Sequence, residues 1–391
     1  MKICEKCGYQ NKDNSIFCLR CGHMIGFDRN NKPKSSFNTT TNGGAGGIMN
    51  QPPFQSPKVE GFTISVIDKL NVFIGNTSTA PLQWTDLFTD VFKKHGFQEA
   101  EDIFIYGTRR TTPPLYAISS GWPKPWLYSR VLLIFVITFI LLKICVDFFG
   151  NLNAIPGLMV IGSMAIPLAM VVLFIELNIF RNVSFYTVCL IFLIGGGAAI
   201  LATLFLYSLL LPEASEFGYI EALIVGFIEE TGKFIIIYFF LSKLNNCKYI
   251  LNGLLVGSVV GAGFAALESA GYAFTYLLNS EDVYTMYSVI YLRGFLAPGN
   301  HIAWSAIVGA AIILCGNSFQ RKITLDYILS QGKFWKIFLL AVTLHFLWDS
   351  PFLEGFGIIK NLILVVGAWV VTLIMVQMGL QEADKVVQRN F

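Results

Sequence analysis

With 391 residues, 54% of them hydrophobic and only 14% charged, and a mean hydropathy of +0.60, the chain is too apolar for an ordinary water-soluble globule. The net charge of +3 is too small to argue from, and nothing in the composition points to nucleic acid as a partner. No secretory signal is expected, because the first 25 residues are charged and hold four cysteines.

Those cysteines form two knuckles, Cys4-x2-Cys7 and Cys18-x2-Cys21, each followed by a glycine (Gly8, Gly22). Four thiolates at this spacing surround one Zn²⁺ tetrahedrally, and a module spanning 1–26 is too short to fold around a core of its own. The expectation is a structural zinc ribbon with an unknown cytosolic partner; a closed four-sulfur site leaves no position open for chemistry. Cys145, Cys189, Cys247 and Cys315 are scattered singly and read as small apolar filler. Residues 27–58 are polar and glycine-rich and read as a flexible linker. Residues 59–124 read as a small helical juxtamembrane domain, with one helix over Pro81–His95 and a shorter amphipathic one over Phe97–Tyr106. Trp122-Pro-Lys-Pro-Trp126 then marks the membrane interface.

From about 125 to 380 the sequence reads as an all-α polytopic membrane domain of about eight spans. They are placed at 127–148, 155–175, 185–210, 218–242, 250–278, 300–316, 334–351 and 357–379, with a cytoplasmic tail over 381–391. Lys124, Arg130, Arg181, Lys243, Lys248, Arg321, Lys322, Lys333, Lys385 and Arg389 fall on one side of this arrangement. Glu213, Glu216, Glu281, Asp282 and Glu354 fall on the other, where Arg293 is the one loop cation. The positive-inside rule then makes both termini cytoplasmic, in agreement with a reduced ribbon.

An ionisable residue in mid-span carries an apparent insertion penalty of roughly 2.5–3.5 kcal/mol, so each needs a reason. Lys143 and Asp147, four apart, read as a structural pair, and Glu176 and Lys360 lie near span ends where they snorkel. A cluster is different. Glu229, Glu230 and Lys233 share the fourth span, Glu268 lies in the fifth, His301 opens the sixth, and His345 and Asp349 belong to the seventh. Counting from the span ends places Glu229 and Glu268 about 15–17 Å, and His345 about 9 Å, below the outer surface.

Peptide hydrolysis inside a membrane needs a sequestered water, a base and a donor for the oxyanion. Carboxylates and imidazoles supply these directly, with Glu230 or Glu229 as base. Alternatively, His301, His345 and a glutamate hold a catalytic metal while a second glutamate acts as base. The residue types admit both.

The motifs resemble those of the PrsW-type intramembrane proteases, relatives of the CAAX prenyl endoproteases. Glu229-Glu230-Thr-Gly-Lys233 matches the first motif, Phe264-Ala-Ala-Leu-Glu268 the second, Arg293 with His301-Ile-Ala-Trp-Ser and Gly309 the third, and His345-Phe-Leu-Trp-Asp349 the fourth. Ser269 stands where members often have Asn. The resemblance covers about 218–352. It implies a bacterial cell-membrane endoprotease that cuts a membrane-anchored protein near the outer face, an anti-sigma factor in the family's namesake. Its catalytic set would be Glu229, Glu230, Glu268, His301, His345 and Asp349, with Lys233 and Arg293 behind it. The rival readings are a proton-coupled transporter, for which no internal repeat is visible, and a non-catalytic scaffold that binds membrane helices.

Overall fold

In hydrocarbon a backbone must satisfy its own hydrogen bonds, so long apolar runs become helices. The computed structural model describes residues 2–3, 10–11, 59–78, 80–119, 121–210, 218–316 and 323–389. The chain forms two compact units, Met1–Pro57 and Lys58–Phe391. In the first, β1 (Lys2–Ile3) pairs antiparallel with β2 (Gln10–Asn11). The four ribbon cysteines and the 27–58 linker lie outside the described residues.

The second unit is helical: α1 (Val59–Ile74), α2 (Phe97–Ile105), α3 (Leu127–Asp147), α4 (Ile155–Leu177), α5 (Phe185–Leu190), α6 (Gly196–Leu210), α7 (Tyr219–Lys243), α8 (Ile250–Ser280), α9 (Val283–Leu296), α10 (His301–Cys315), α11 (Leu325–Ser330), α12 (Gly332–Asp349) and α13 (Ile358–Gln388). One turn of π-helix, Ile191–Gly195, joins α5 to α6. A helix occupies each of the eight expected spans. Among the described residues, six segments are long and apolar enough to cross a membrane by length and composition; α7 and α12 fall outside that set. Their charged residues explain it: α7 carries Glu229, Glu230 and Lys233, and α12 carries Lys333, Lys336 and Asp349. The protein is an integral membrane protein.

The centre of the bundle is the pair α8 and α10. A Cβ added at Gly253, Gly257 or Gly261 of α8 would overlap the carbonyl oxygens of Gly309, Ser305 and His301 of α10, respectively. The two backbones therefore touch directly, as small residues at four-residue spacing permit. Gly263, on another face of α8, meets Gly196 of α6 in the same way.

Several expectations need correction. No helix spans 81–95; a 3-10 turn at Trp84–Leu87 is followed by further turns whose backbone bonds reach back three residues (Val91 N to Phe88 O, Lys93 N to Asp90 O), and the His95 ring sits 3.1 Å from the Asp90 carbonyl that a continuing α-helix would use. The helix α1, not expected, precedes it. Residues 283–296, expected as loop, form α9, started by the Asp282 carboxylate accepting from the backbone of Tyr284 and Thr285 (both 3.1 Å). The tail expected from 381 is helical to Gln388, and the Glu382 carboxylate caps α8 by accepting from Ile250 N (2.8 Å). Glu176 does not snorkel: it accepts from the backbone of Trp126, Leu127 and Tyr128 (2.8–3.0 Å), closing the N-terminus of α3. Lys360 donates to the carbonyls of Trp348 and Ser350 (3.0 and 2.9 Å), closing the end of α12. Lys143 and Asp147 pair as expected.

At one end of the bundle Asn178, Asn182 and Asn252 hydrogen-bond one another at 2.7–3.2 Å. Asn182 also reaches Asn246 O (2.7 Å), and the Asn252 carbonyl accepts from Lys248 N and Tyr249 N (3.1 and 3.2 Å). Nearby, Asn76 donates to Gln377 of α13 (3.0 Å), and Gln377 donates to Ala80 O (2.7 Å), tying the juxtamembrane segment to the bundle.

Candidate active site

Four helices deliver the titratable groups to one place. On α7, Glu229, Glu230 and Lys233 are all buried. His301 stands at the first turn of α10, immediately after the 3-10 turn Ala297–Gly299 and Asn300, so the irregular entry expected at Pro298-Gly299 is present. Its height against α8 is set by Gly261, whose hydrogen lies over the His301 carbonyl. His345 on α12 sits where Gly226 of α7 lets the two helices close, since a Cβ there would lie 3.2 Å from the backbone nitrogen of Phe346.

Distances along the helices relate the four groups to the helix ends. Glu229 is about 21 Å from the Lys243 end of α7, His301 about 21 Å from the Cys315 end of α10 and His345 about 20 Å from the Gly332 end of α12. Helix α8 runs for 31 residues, so Glu268 is about 27 Å from its Ile250 end and about 18 Å from its Ser280 end.

Around His301, Nε2 lies 2.9 Å from Glu268 Oε2, while Nδ1 lies 2.9 Å from Lys233 Nζ and 3.8 Å from Glu229 Oε2. Around His345, Nδ1 lies 2.9 Å from Glu230 Oε1, while Nε2 lies 3.6 Å from Glu229 Oε2 and 3.2 Å from Asp349 Oδ2. Each imidazole is thus tied through one nitrogen to a carboxylate, and its other nitrogen borders Glu229 Oε2, with Lys233 Nζ nearer to His301 and Asp349 Oδ2 nearer to His345. Glu229 Oε2 is buried and, among the described residues, has no hydrogen-bond partner, with the Lys233 ammonium 3.8 Å away; Glu229 Oε1 accepts from Tyr207 (2.6 Å). Lys233 donates to Glu230 Oε1 (2.6 Å) and stands 4.6 Å from the centroid of the Phe264 ring. Arg293 donates to Glu268 and to Ser269 Oγ (3.0 Å), and lies over Tyr272.

A cavity of about 480 Å³ opens onto this cluster. Glu229, Glu268, Arg293, His301, His345 and Asp349 line it, joined by Tyr207, Tyr272, Asn300, Trp348 and Asn361. Glu230 and Lys233 are not on its wall. Both are completely buried behind Glu229 and the imidazoles, so Glu230, expected as a base on water, faces no water-accessible space. Arg293, expected in a loop, ends α9 and reaches Glu268. Tyr207, Tyr272, Asn300 and Asn361 carry no signal in the sequence: their types are common in membrane helices, and only the packing of α6, α8, α10 and α13 brings them here.

The donor set fits a metal. Glu229, His301 and His345 offer ligand atoms that all lie within 4.8 Å of one another, and all three residues are buried. Two neutral-capable imidazoles and one carboxylate are a common ligand set of open catalytic zinc sites. Carboxylates on the outer nitrogens of such histidines orient the rings and raise their basicity. Glu229 Oε2, buried and without a hydrogen bond among the described residues, is the kind of acceptor a metal ion would satisfy. Lys233 competes for this space: its Nζ lies 2.9 Å from His301 Nδ1 and 3.8 Å from Glu229 Oε2, and its shortest bond is to Glu230 Oε1 (2.6 Å).

Residues 184–377 match the family model of PrsW family intramembrane metalloproteases, and residues 3–25 match that of a zinc-ribbon domain. The chain carries a PrsW-family protease domain behind a zinc ribbon. No curated protein and no solved structure matches it. The PrsW match starts ahead of α5 and ends within α13, so it takes in Tyr207 and Asn361 as well as the four motifs, and it leaves α1–α4 outside. The PrsW domain makes the protein a membrane-embedded peptide hydrolase, whose substrates are membrane proteins in a lipid bilayer.

Proposed function

We propose that the protein cuts membrane-anchored proteins close to the outer face of a bacterial cell membrane, with both termini cytoplasmic and α7 and α12 completing eight spans. The observation that carries this reading is Glu229 Oε2, a buried carboxylate oxygen with no hydrogen bond among the described residues, facing one nitrogen of each of two carboxylate-tethered imidazoles. Glu229, His301 and His345 would hold zinc, which when bound supplies Lewis acidity toward a water or a peptide carbonyl.

The chain's own groups divide the remaining work. Glu268, fixed by Arg293, holds His301; Glu230, fixed by Lys233, holds His345. Glu268 Oε2 already accepts from two donors, whereas Asp349 borders the cavity with His345 as its neighbour, so Asp349 is the carboxylate freer to take a proton from water. Asn300 lines the cavity and is placed to hydrogen-bond the substrate backbone. Leu292, Leu296 and Val225 give that cavity an apolar wall suited to a membrane segment. With a hydrocarbon core of ~30 Å, the depth of His301 and His345 leaves about 10 Å to the far interface. That supports a cut near the outer face, in a regulator such as an anti-sigma factor.

In this reading the chain is organised as a structural zinc ribbon (1–26) that engages an unknown cytosolic partner, a linker (27–58), a juxtamembrane segment (59–124) and the membrane protease. The test is to incubate detergent-purified protein and its Glu229→Gln variant with single-span peptides and read the products by mass spectrometry. Cleavage near one interface, lost in the variant and on chelation and restored by zinc, is the expected result. Peptides left intact by the zinc-loaded wild type, or cut equally by the variant, would overturn the reading.

A further inference from the structure

Tyr207 lies outside the four motifs, yet its hydroxyl hydrogen-bonds the Glu229 side chain, donating to Oε1 at 2.6 Å. Its place is built, not incidental. Ala199 and Thr203 are buried, and with Tyr207 they are spaced by four residues, so all three fall on one face of α6. That face meets α7 at closest approach: a Cβ at Gly232 would come within 2.7 Å of Thr203 Oγ1. One turn further along α6 is Tyr207, and one turn back along α7 is Glu229. The glycine at 232 and the tyrosine at 207 thus belong to a single helix contact that ends at the carboxylate.

We infer that Tyr207 is a positioning residue that pins Glu229 by one oxygen and so commits the other, Oε2, to the space between His301 Nδ1 and His345 Nε2; the inference rests on the reading of Glu229 as a metal ligand. A carboxylate is free to turn about its last bond and to present either oxygen, or both at once. With Oε1 held by a phenol, Glu229 presents one. The bland alternative is a half-buried tyrosine finding any acceptor, which a backbone carbonyl would serve equally well. Here the acceptor is the carboxylate whose other oxygen is orphaned, and the tyrosine itself lines the cavity.

Outer partners of metal ligands typically change metal affinity by about 10–100-fold when removed. The experiment titrates Co²⁺, with Zn²⁺ competition, into the full-length protein in detergent and follows the visible absorption bands. Wild type, Tyr207→Phe, Glu229→Gln and Thr203→Ala are compared; the ribbon thiolates are common to all four and cancel. Wild type is expected to bind one cobalt more than Glu229→Gln. Tyr207→Phe is expected to bind that extra cobalt about 10–100-fold more weakly, with an altered band shape. Thr203→Ala, which loosens the same helix contact and keeps the phenol, is expected to match wild type in affinity and band shape. Tyr207→Phe with wild-type affinity and spectrum would overturn the inference, as would an equal loss in Thr203→Ala, which would make the effect one of packing. A wild type that binds no more cobalt than Glu229→Gln would overturn the metal reading itself, and this inference with it.

Discussion

Two polar clusters are buried in the same bundle, and they are built to opposite rules. The asparagine cluster of Asn178, Asn182 and Asn252 closes on itself, with its side-chain donors and acceptors bonded to one another or to the backbone at 246, 248 and 249. The Glu–His cluster leaves Glu229 Oε2, Glu230 Oε2, Asn300 Oδ1 and Trp304 Nε1 buried and without hydrogen bonds among the described residues. A satisfied network in low dielectric rigidifies a fold, and an unsatisfied one costs stability unless something else pairs with it. The first cluster is architecture, tying the α4–α5 turn to the start of α8. The second has spare valence, which is what a site for a metal, water and substrate requires.

The largest effect that would test this contrast is on the open cluster. Glu229→Gln should lower peptide cleavage by more than the roughly 10–100-fold typical of a residue one step removed from a metal, while thermal unfolding in detergent stays close to wild type. An inactive variant that is also strongly destabilised would mean that the open cluster holds the fold, and the contrast would fail. Next comes the glycine ladder, which allows the same steric insult near the site and far from it. Gly261→Ala, which pushes on the His301 backbone, should abolish most cleavage, whereas Gly253→Ala, against Gly309, should cost about 1–3 kcal/mol of stability and spare the rate per folded molecule. Comparing kcat at equal folded fraction reads the difference.

The closed cluster should answer in stability. Asn252→Ala strands the buried side chains of Asn178 and Asn182 and should cost about 1–3 kcal/mol by chemical denaturation, with zinc content unchanged. Lost zinc in that variant would show that the two clusters are coupled along α8. The smallest effect belongs to the half-exposed pair at the end of α3. Lys143→Met should change stability by less than about 1 kcal/mol, since an accessible ion pair is worth little.

The sequence exposes the open cluster and hides the closed one for the same reason. Glutamate, lysine and histidine within apolar spans are conspicuous because each is costly there, so Glu229, Glu230, Lys233, Glu268, His301 and His345 stand out from residue type and position alone. Asparagine is cheap at a span end, and its pairing across 70 residues of sequence, Asn182 with Asn252, is visible only once α4 and α8 are folded. Helix α9 escapes a reading of the sequence because Tyr284, Tyr287, Tyr291 and Arg293 dilute its apolar pattern; its core contacts come from Met286, Tyr287 and Ile290. The expected 81–95 helix fails in the other direction: an apolar stripe is present, but the backbone bonds reach back three residues and the His95 ring occupies the Asp90 carbonyl. Roles within the site are legible only to the level of residue type. Which glutamate faces the cavity and which lies behind it is decided by α7's rotation against α10 and α12, and that rotation is a property of packing.

The direct backbone contact between α8 and α10 has a mechanical consequence. Helices separated by side chains slide and tilt as rotamers change, but two whose carbonyls lie against each other's glycines move together as a single beam. Glu268 and His301 ride on that beam and keep their spacing while it moves. A doorway wide enough for a polypeptide would then be hinged on the other walls of the cavity, at Tyr207 of α6, Val225 of α7, the Leu292–Leu296 end of α9, the Trp348–Asp349 end of α12 or the Asn361 turn of α13.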